Sequence, residues 1–483
     1  MGFDAAHLLG LAPEIFLASA ACVVLLIDIF IKERYRLTTY GLALVSLLGT
    51  AALTLWGSQE STEILWSGGY IRDPMSDALK IATCLIAVMA FVYAKDYLRD
   101  RDLLKGEYFV MGLFAVLGML VMISANGFLT LYLGLELLSL CLFALVAFDR
   151  DSPRGAEAAV KYFVLGALSS GLLLYGISII YGVTGALDFP GIAEALVHTD
   201  QAKDTVLIFG LVFLVIGVAF KFGAVPFHMW VPDVYHGAPT PVALFLSSAP
   251  KIAAFALAIR MLVEGLGGMQ GGWEGWQGML VILAVLSMAL GNVVAIAQKN
   301  VKRMLAYSTI GHMGFIFLGL LTVDGEGYAA AMFYAIVYAL MAAGGFGMLA
   351  MLSRKGFEAQ ELDDLKGLNE RSPWLAGMML LIMFSMAGVP PTVGFFAKLF
   401  ILESVVSAGM TWLALVAVFF SFIAAFYYLR VIKAMYFDKP LDDAPITAST
   451  DTQMVMSING VAVLLLGLFP AGLLAICRTA FGV

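Results

Sequence analysis

The sequence predicts an all-α polytopic membrane protein of about fourteen transmembrane helices, with two inverted five-helix repeats and breaks in helices 7 and 12. Three observations carry this. Of the 483 residues, 61% are hydrophobic and only 13% charged, with a mean hydropathy of +0.93, whereas soluble domains carry about 25% charged residues. Apolar segments of the ~20 residues that a bilayer requires recur along the whole chain. Lysine and arginine collect in alternate connections, as the positive-inside rule demands of a chain that crosses repeatedly.

In order, the predicted helices lie near 11–31, 37–56, 75–97, 107–124, 127–148, 156–182 and 204–223. Seven more follow near 239–263, 276–297, 303–323, 327–352, 373–407 (long and interrupted), 411–437 and 455–476. Only Ala125-Asn126 separates the fourth from the fifth, which predicts a tight hairpin. Connections after odd-numbered helices hold twenty of the 28 basic residues, from Lys32, Arg34 and Arg36 to Arg430, Lys433 and Lys439. The opposite face holds five: Arg72, Lys80, Lys203, Arg260 and Arg478. This places both termini outside and the basic loops in the cytoplasm. Segments 188–198 and 358–367 read as short interfacial helices or plain connectors.

A repeat is faintly legible. Phe114-Ala-Val-Leu-Gly-Met and Leu283-Ala-Val-Leu-Ser-Met each open a run of five helices. An odd count forces successive runs into opposite orientations, and inverted repeats with matching broken helices are a transporter arrangement. The breaks fall at Phe222–Pro226 and at Ala387–Gly394. The chain then divides into an N-terminal three-helix segment (1–106), two repeats (107–263 and 264–437) and a C-terminal helix (438–483).

Four charged residues lie within spans: Glu136, Lys221, Lys251 and Lys398. A charge at the bilayer centre costs roughly 2.5–3.5 kcal/mol, so such residues mark ion or proton paths by default. Burial disfavours the charged form of a lysine and a nearby carboxylate favours it. A Glu136–Lys221 pair that opens and closes would therefore gate a proton. The plainer alternatives are packing for Glu136 and snorkelling for Lys221. Lys221 precedes its break and Lys398 follows its own, so inverted symmetry relates the two positions. His312 lies mid-helix and His228 just past the first break. Histidine titrates near neutrality, so both are relay candidates. His236 reads as a loop residue, Asp233 as a structural cap of helix 8 or partner of a loop lysine, Tyr334 and Tyr338 as aromatic packing or water holders, and Glu14, Asp28, Asp77 and Glu403 as interfacial.

Several function classes are excluded. No basic block suits a nucleic acid, and Cys22, Cys84, Cys141 and Cys477 stand alone in apolar segments, which argues against disulfides and metal. No glycine-rich dinucleotide loop occurs, so neither flavin nor iron–sulfur cluster is expected in this chain. The N-terminus lacks the basic region of a cleaved signal peptide, so the first helix is expected to be retained.

Six stretches identify a family: LAPEIFLASAACVVLLID, SANGFLTLYLGLELLSL, GAEAAVKYFVLGALSSG, GVAFKFGAVPFHMWVPDVYHGAPTPVALFLSSAPKIAAF, QKNVKRMLAYSTIGHMGF and AGVPPTVGFFAKLF. In these the chain resembles the antiporter-like membrane subunits of respiratory complex I (NADH:quinone oxidoreductase), and among them the subunit N branch. The resemblance implies fourteen helices in two inverted units and one proton path per subunit. It assigns that path to Glu136, Lys221, Lys251 and Lys398, with His228 and His312 as further members. It also implies a bacterial inner membrane, neighbouring membrane-arm subunits as partners, and FMN, iron–sulfur clusters and quinone held elsewhere in the complex. Multisubunit sodium/proton antiporters share the lysine pattern and are the nearest rival. A non-conducting scaffold is the other, and buried lysines argue against it.

Overall fold

The computed structural model describes residues 9–32, 35–59, 61–197, 204–441 and 444–483. Arg34 and Lys203, assigned above to the two faces, lie outside them. Helices α1 (Ala12–Phe30) and α2 (Arg36–Gly57) precede a small antiparallel hairpin, β1 (Glu63–Leu65) and β2 (Tyr70–Arg72). Next come α3 (Pro74–Asp100), α4 (Gly106–Ile123), α5 (Phe128–Val146), α6 (Pro153–Thr184), the short α7 (Phe189–Val197) and α8 (Asp204–Phe222). The middle of the chain holds α9 (Trp230–Gly237), α10 (Thr240–Ser247) and α11 (Ala249–Ala258), the last continuing as a π-helical turn, Ile259–Gly265. Then follow α12 (Trp276–Ala297), α13 (Val301–Leu321), α14 (Gly325–Leu352), the one-turn α15 (Leu368–Arg371), α16 (Pro373–Ala387) and α17 (Val393–Ser407). The chain closes with α18 (Thr411–Phe437), α19 (Thr450–Leu468) and α20 (Ala471–Thr479).

Thirteen of these stretches are long and apolar enough to span, counting Thr240–Gly265 as one, and the α16/α17 pair forms the interrupted fourteenth. Polar caps set several boundaries. Asp73 and Ser76 form a reciprocal capping box at α3, Ser152 caps α6, and Asn300 and Asp324 cap α13 and α14. Segments 240–265, α13 and α14 form the buried centre, whereas α1, α2, α6, α18 and α19 keep broad apolar faces outward, as lipid contact requires. Two hairpins pack at backbone distance. A Cβ on Gly118 of α4 would lie 2.7 Å from the Gly134 carbonyl of α5, and one on Gly291 of α12 would lie 2.6 Å from the Gly311 amide of α13. Small residues allow helices to approach this closely in a membrane.

Segment 358–367 takes the second of its two expected forms, a connector with a single 3-10 turn at Leu362–Leu365. Three sequence expectations need revision. The last helix ends at Leu468 and restarts after Pro470 as α20. The helix expected at 239–263 is itself interrupted at Ser248 (φ −110°, ψ −94°), where Pro250 has no amide to donate back. Glu14 and Asp77 are buried rather than interfacial.

Candidate functional site

Both predicted breaks have the same construction. α8 ends at Phe222 and α16 at Ala387, and a left-handed glycine follows each, Gly223 (φ +76°) and Gly388 (φ +87°). A helix that stops inside the membrane leaves its last carbonyls without intrahelical donors, with the negative end of the helix dipole beside them. In both cases a lysine fills that role. Lys251 Nζ donates to the carbonyls of Lys221 (3.3 Å) and Phe222 (3.0 Å). Lys398 Nζ donates to those of Met386 (3.2 Å) and Ala387 (2.9 Å). Each ammonium also lies near an aromatic face, Trp230 at 5.4 Å and Phe315 at 5.5 Å. By contact, then, the counterpart of Lys398 is Lys251. The sequence-based match of Lys398 with Lys221 rested on their lying on opposite sides of their breaks, and the position equivalent to Lys221, next to last in its helix, is Met386.

Lys221 points the other way. Its Nζ donates to Ser139 Oγ at 2.8 Å, in a pocket of ≈ 10 Å³ that Tyr162, Ser169 and Ser170 also line. That is about the space one water needs. Ser139 sits one turn after Glu136 on α5 and its hydroxyl donates to the Leu135 carbonyl, so Lys221 meets the serine where a direct pair with Glu136 was expected. No ion pair joins Glu136 to Lys221 among the described residues, and Glu136 Oε1 is buried without a hydrogen-bond partner. The structure thus lines up Glu136, Ser139, Lys221 and Lys251 across α5, α8 and α11.

The second cluster surrounds His312 on α13. Its Nδ1 is 2.8 Å from the Tyr334 hydroxyl and its Nε2 is 3.0 Å from that of Tyr428, which in turn bonds Ser308. A neutral imidazole donates at one nitrogen and accepts at the other, so one tyrosine receives a proton while the other offers one. His312, Lys398, Tyr427 and Tyr428 line a second cavity of ≈ 10 Å³. Tyr338 donates to Thr309, and Tyr427 to Asn292. Tyr334 does stack on Phe315, as packing predicts, but its hydroxyl belongs to this cluster. Between the two clusters the break backbone is held by Ser287 of α12, which accepts from the Val225 amide at 3.0 Å. No hydrogen bond links Lys251 to His312 among the described residues.

His228 does not join either group. Its Nδ1 is buried and unbonded, and no hydrogen bond connects it to Lys221, Lys251 or Lys398 among the described residues. Asp233 and His236 on α9 act structurally. Burial opposes the Asp233 charge, but hydrogen bonds from Lys161 (2.7 Å) and Arg303 (2.8 Å) hold its carboxyl below the ordinary range. Burial, with the charges of Lys302, Arg154 and Arg303, pushes His236 from its ordinary 6.5 down to about 4. Ser139, Ser287 and Tyr428 were not singled out from the sequence. Only Ser139 carried a usable signal, its place one turn from Glu136.

Residues 125–424 match the family described as NADH:quinone oxidoreductase/Mrp antiporter, transmembrane. The chain is 56% identical over 480 residues to NADH-quinone oxidoreductase subunit N of Thioalkalivibrio sulfidiphilus, covering 99% of each. It superimposes on a chain of respiratory complex I from Thermus thermophilus with a TM-score of 0.82 at 30% identity, covering 96% of this chain and 98% of that one. A chain of the Mrp complex from a Dietzia species shares the fold, with a TM-score of 0.85 at 22% identity over 99% and 97% of the two chains. The chain therefore belongs to the NADH-quinone oxidoreductase subunit N family, within the antiporter-like membrane subunits.

Proposed function

We propose that this chain moves protons across a bacterial inner membrane within a proton-translocating NADH:quinone oxidoreductase. Glu136, Lys221, Lys251, His312 and Lys398 carry the path, and Ser139, Tyr334 and Tyr428 extend it. The basic face is cytoplasmic and both termini are periplasmic. Protons enter towards Lys221, pass to Lys251 and leave past Lys398. Helices within 107–263 and 264–437 act as two inverted units, each built on one broken helix. Redox energy arises elsewhere in the complex, in subunits holding FMN, iron–sulfur clusters and quinone. It reaches this chain through neighbouring membrane-arm subunits, an antiporter-like one and small membrane subunits among them.

The observation that supports this reading best is the repeated device, a lysine donating to the last two carbonyls of a helix broken inside the membrane. An ammonium there is stabilised by carbonyls that need a donor, and losing its proton removes the charge that strengthens both bonds. Protonation is thereby tied to the geometry of the break. Glu136→Gln and Lys221→Ala in the native complex test it, with assembly, NADH oxidation and proton pumping scored separately. Both assembled variants are expected to lose pumping. Normal pumping in both contradicts the path.

A further inference from the structure

A second group of buried charges lies apart from the lysine axis, at the face opposite the basic loops. Glu14 of α1 and Lys80 of α3 are 2.7 Å apart and 5% and 1% exposed. Lys80 Nζ also donates to the Tyr70 hydroxyl of β2 at 2.7 Å. Asp73, Asp77 and Lys80 succeed one another on α3 at helical spacing, so a polar column descends from the helix N-terminus to the pair. Asp77 lies 3.5 Å from Arg72. Asp73 bonds Arg260 at 2.8 Å, which ties the column to the π-helical continuation of α11, the helix that carries Lys251.

A contrast within α1 separates a clamp from a site. Asp28, near the other end of the helix, is satisfied by Arg36 (2.9 Å) and Thr39 (2.6 Å), as a structural carboxylate should be. Glu14 is not. Its Oε1 meets Lys80, but its Oε2 has no hydrogen-bond partner among the described residues, and neither has Asp77 Oδ2 or the Thr83 hydroxyl one turn past Lys80. Buried polar atoms are bonded in the large majority of cases, so these three unbonded ones call for an account. Packing does not provide one, since apolar residues commonly replace a buried pair without loss.

We propose that Glu14 and Lys80 form a proton-exchange site open to the aqueous phase on the hairpin face, with Asp77 as its connection. One proton passes from the Lys80 ammonium to the Glu14 carboxylate, leaving an amine and a carboxylic acid. Asp77 carries protons between this pair and water at the α3 N-terminus. The titratable and charged groups facing the pair are Tyr70 and Arg72 from β2 and Asp77 and Cys84 from α3. The site lies outside residues 125–424, the span of the family match. It rests on the reading of the chain as a proton-translocating subunit.

The test uses the intact complex in sealed vesicles, with pH varied on the hairpin face alone while the other side is buffered. Asp77→Asn and Glu14→Gln are expected to assemble and to flatten the response of turnover to that pH. Tyr70→Phe, which keeps the ion pair, should flatten it less. An unchanged response in assembled Asp77→Asn overturns the proposal. That variant leaves the ion pair intact and so decides the matter even where Glu14→Gln does not assemble. Lys221→Ala separates the two readings: lost pumping there beside a normal Asp77→Asn response rejects this site and leaves the main path standing.

Discussion

Ser139→Ala removes the one hydrogen bond that the Lys221 ammonium makes among the described residues. A hydrogen bond to a charged group contributes about 1.5–3 kcal/mol. Its loss lowers the ratio of protonated to neutral Lys221 by roughly 10- to 150-fold, and the protonated population by as much where the amine form prevails. The pocket beside it measures ≈ 10 Å³ and grows when the hydroxyl goes, so a water that takes the vacated position sets the lower end of that range. If protonation of Lys221 precedes each turnover, NADH-driven proton uptake by vesicles carrying the variant complex falls by about tenfold or more. Assembly should be unaffected, because an alanine fits where a serine stood. Ser139→Thr keeps the hydroxyl and should restore most of the rate. An assembled Ser139→Ala complex that pumps at the wild-type rate refutes a role for this hydroxyl in holding the Lys221 proton.

Tyr428→Phe takes one partner from His312 and one from Ser308. A buried group left unbonded costs about 1–3 kcal/mol, so pumping should drop roughly fivefold or more. Tyr427→Phe breaks the bond to Asn292 but leaves both His312 partners in place, so it should stay nearer wild type in the same assay. His236→Gln tests the α9 surroundings. The folded chain keeps His236 neutral down to about 4, so its contribution to stability is complete above 6.5 and lost as pH falls through about 4. Thermal unfolding of the solubilised complex over that window should show a smaller acid-induced drop in the variant than in wild type.

The spans were legible because a bilayer enforces length and apolarity on every crossing, and no later packing overrides that. Glu136, Lys221, Lys251 and Lys398 were legible for the same reason, as charges placed where lipid penalises them. What each lysine touches was not. Lys251 meets the Lys221 and Phe222 carbonyls across thirty residues of sequence, and the Lys80–Glu14 pair joins two separate helices. Lys80 was assigned to the membrane face opposite the basic loops, yet the hairpin Glu63–Arg72 and α1 contribute its partners Tyr70 and Glu14, and it is buried. The tyrosines of the His312 cluster looked like packing because aromatic rings are common in apolar helices. Only tertiary geometry turns their hydroxyls towards a histidine. The Ser248 break follows from Pro250, a signal present in the sequence but less conspicuous than the paired Pro390-Pro391.

The central claim is that a lysine bound to the carbonyl end of a broken helix holds the transported proton. It is tested most directly by the number of protons moved per NADH oxidised in vesicles carrying Lys251→Ala or Lys398→Ala complex. Both remove the donor to two helix-end carbonyls, so the account predicts that both abolish pumping in assembled complex, and to a similar extent. A wild-type ratio in either assembled variant contradicts it.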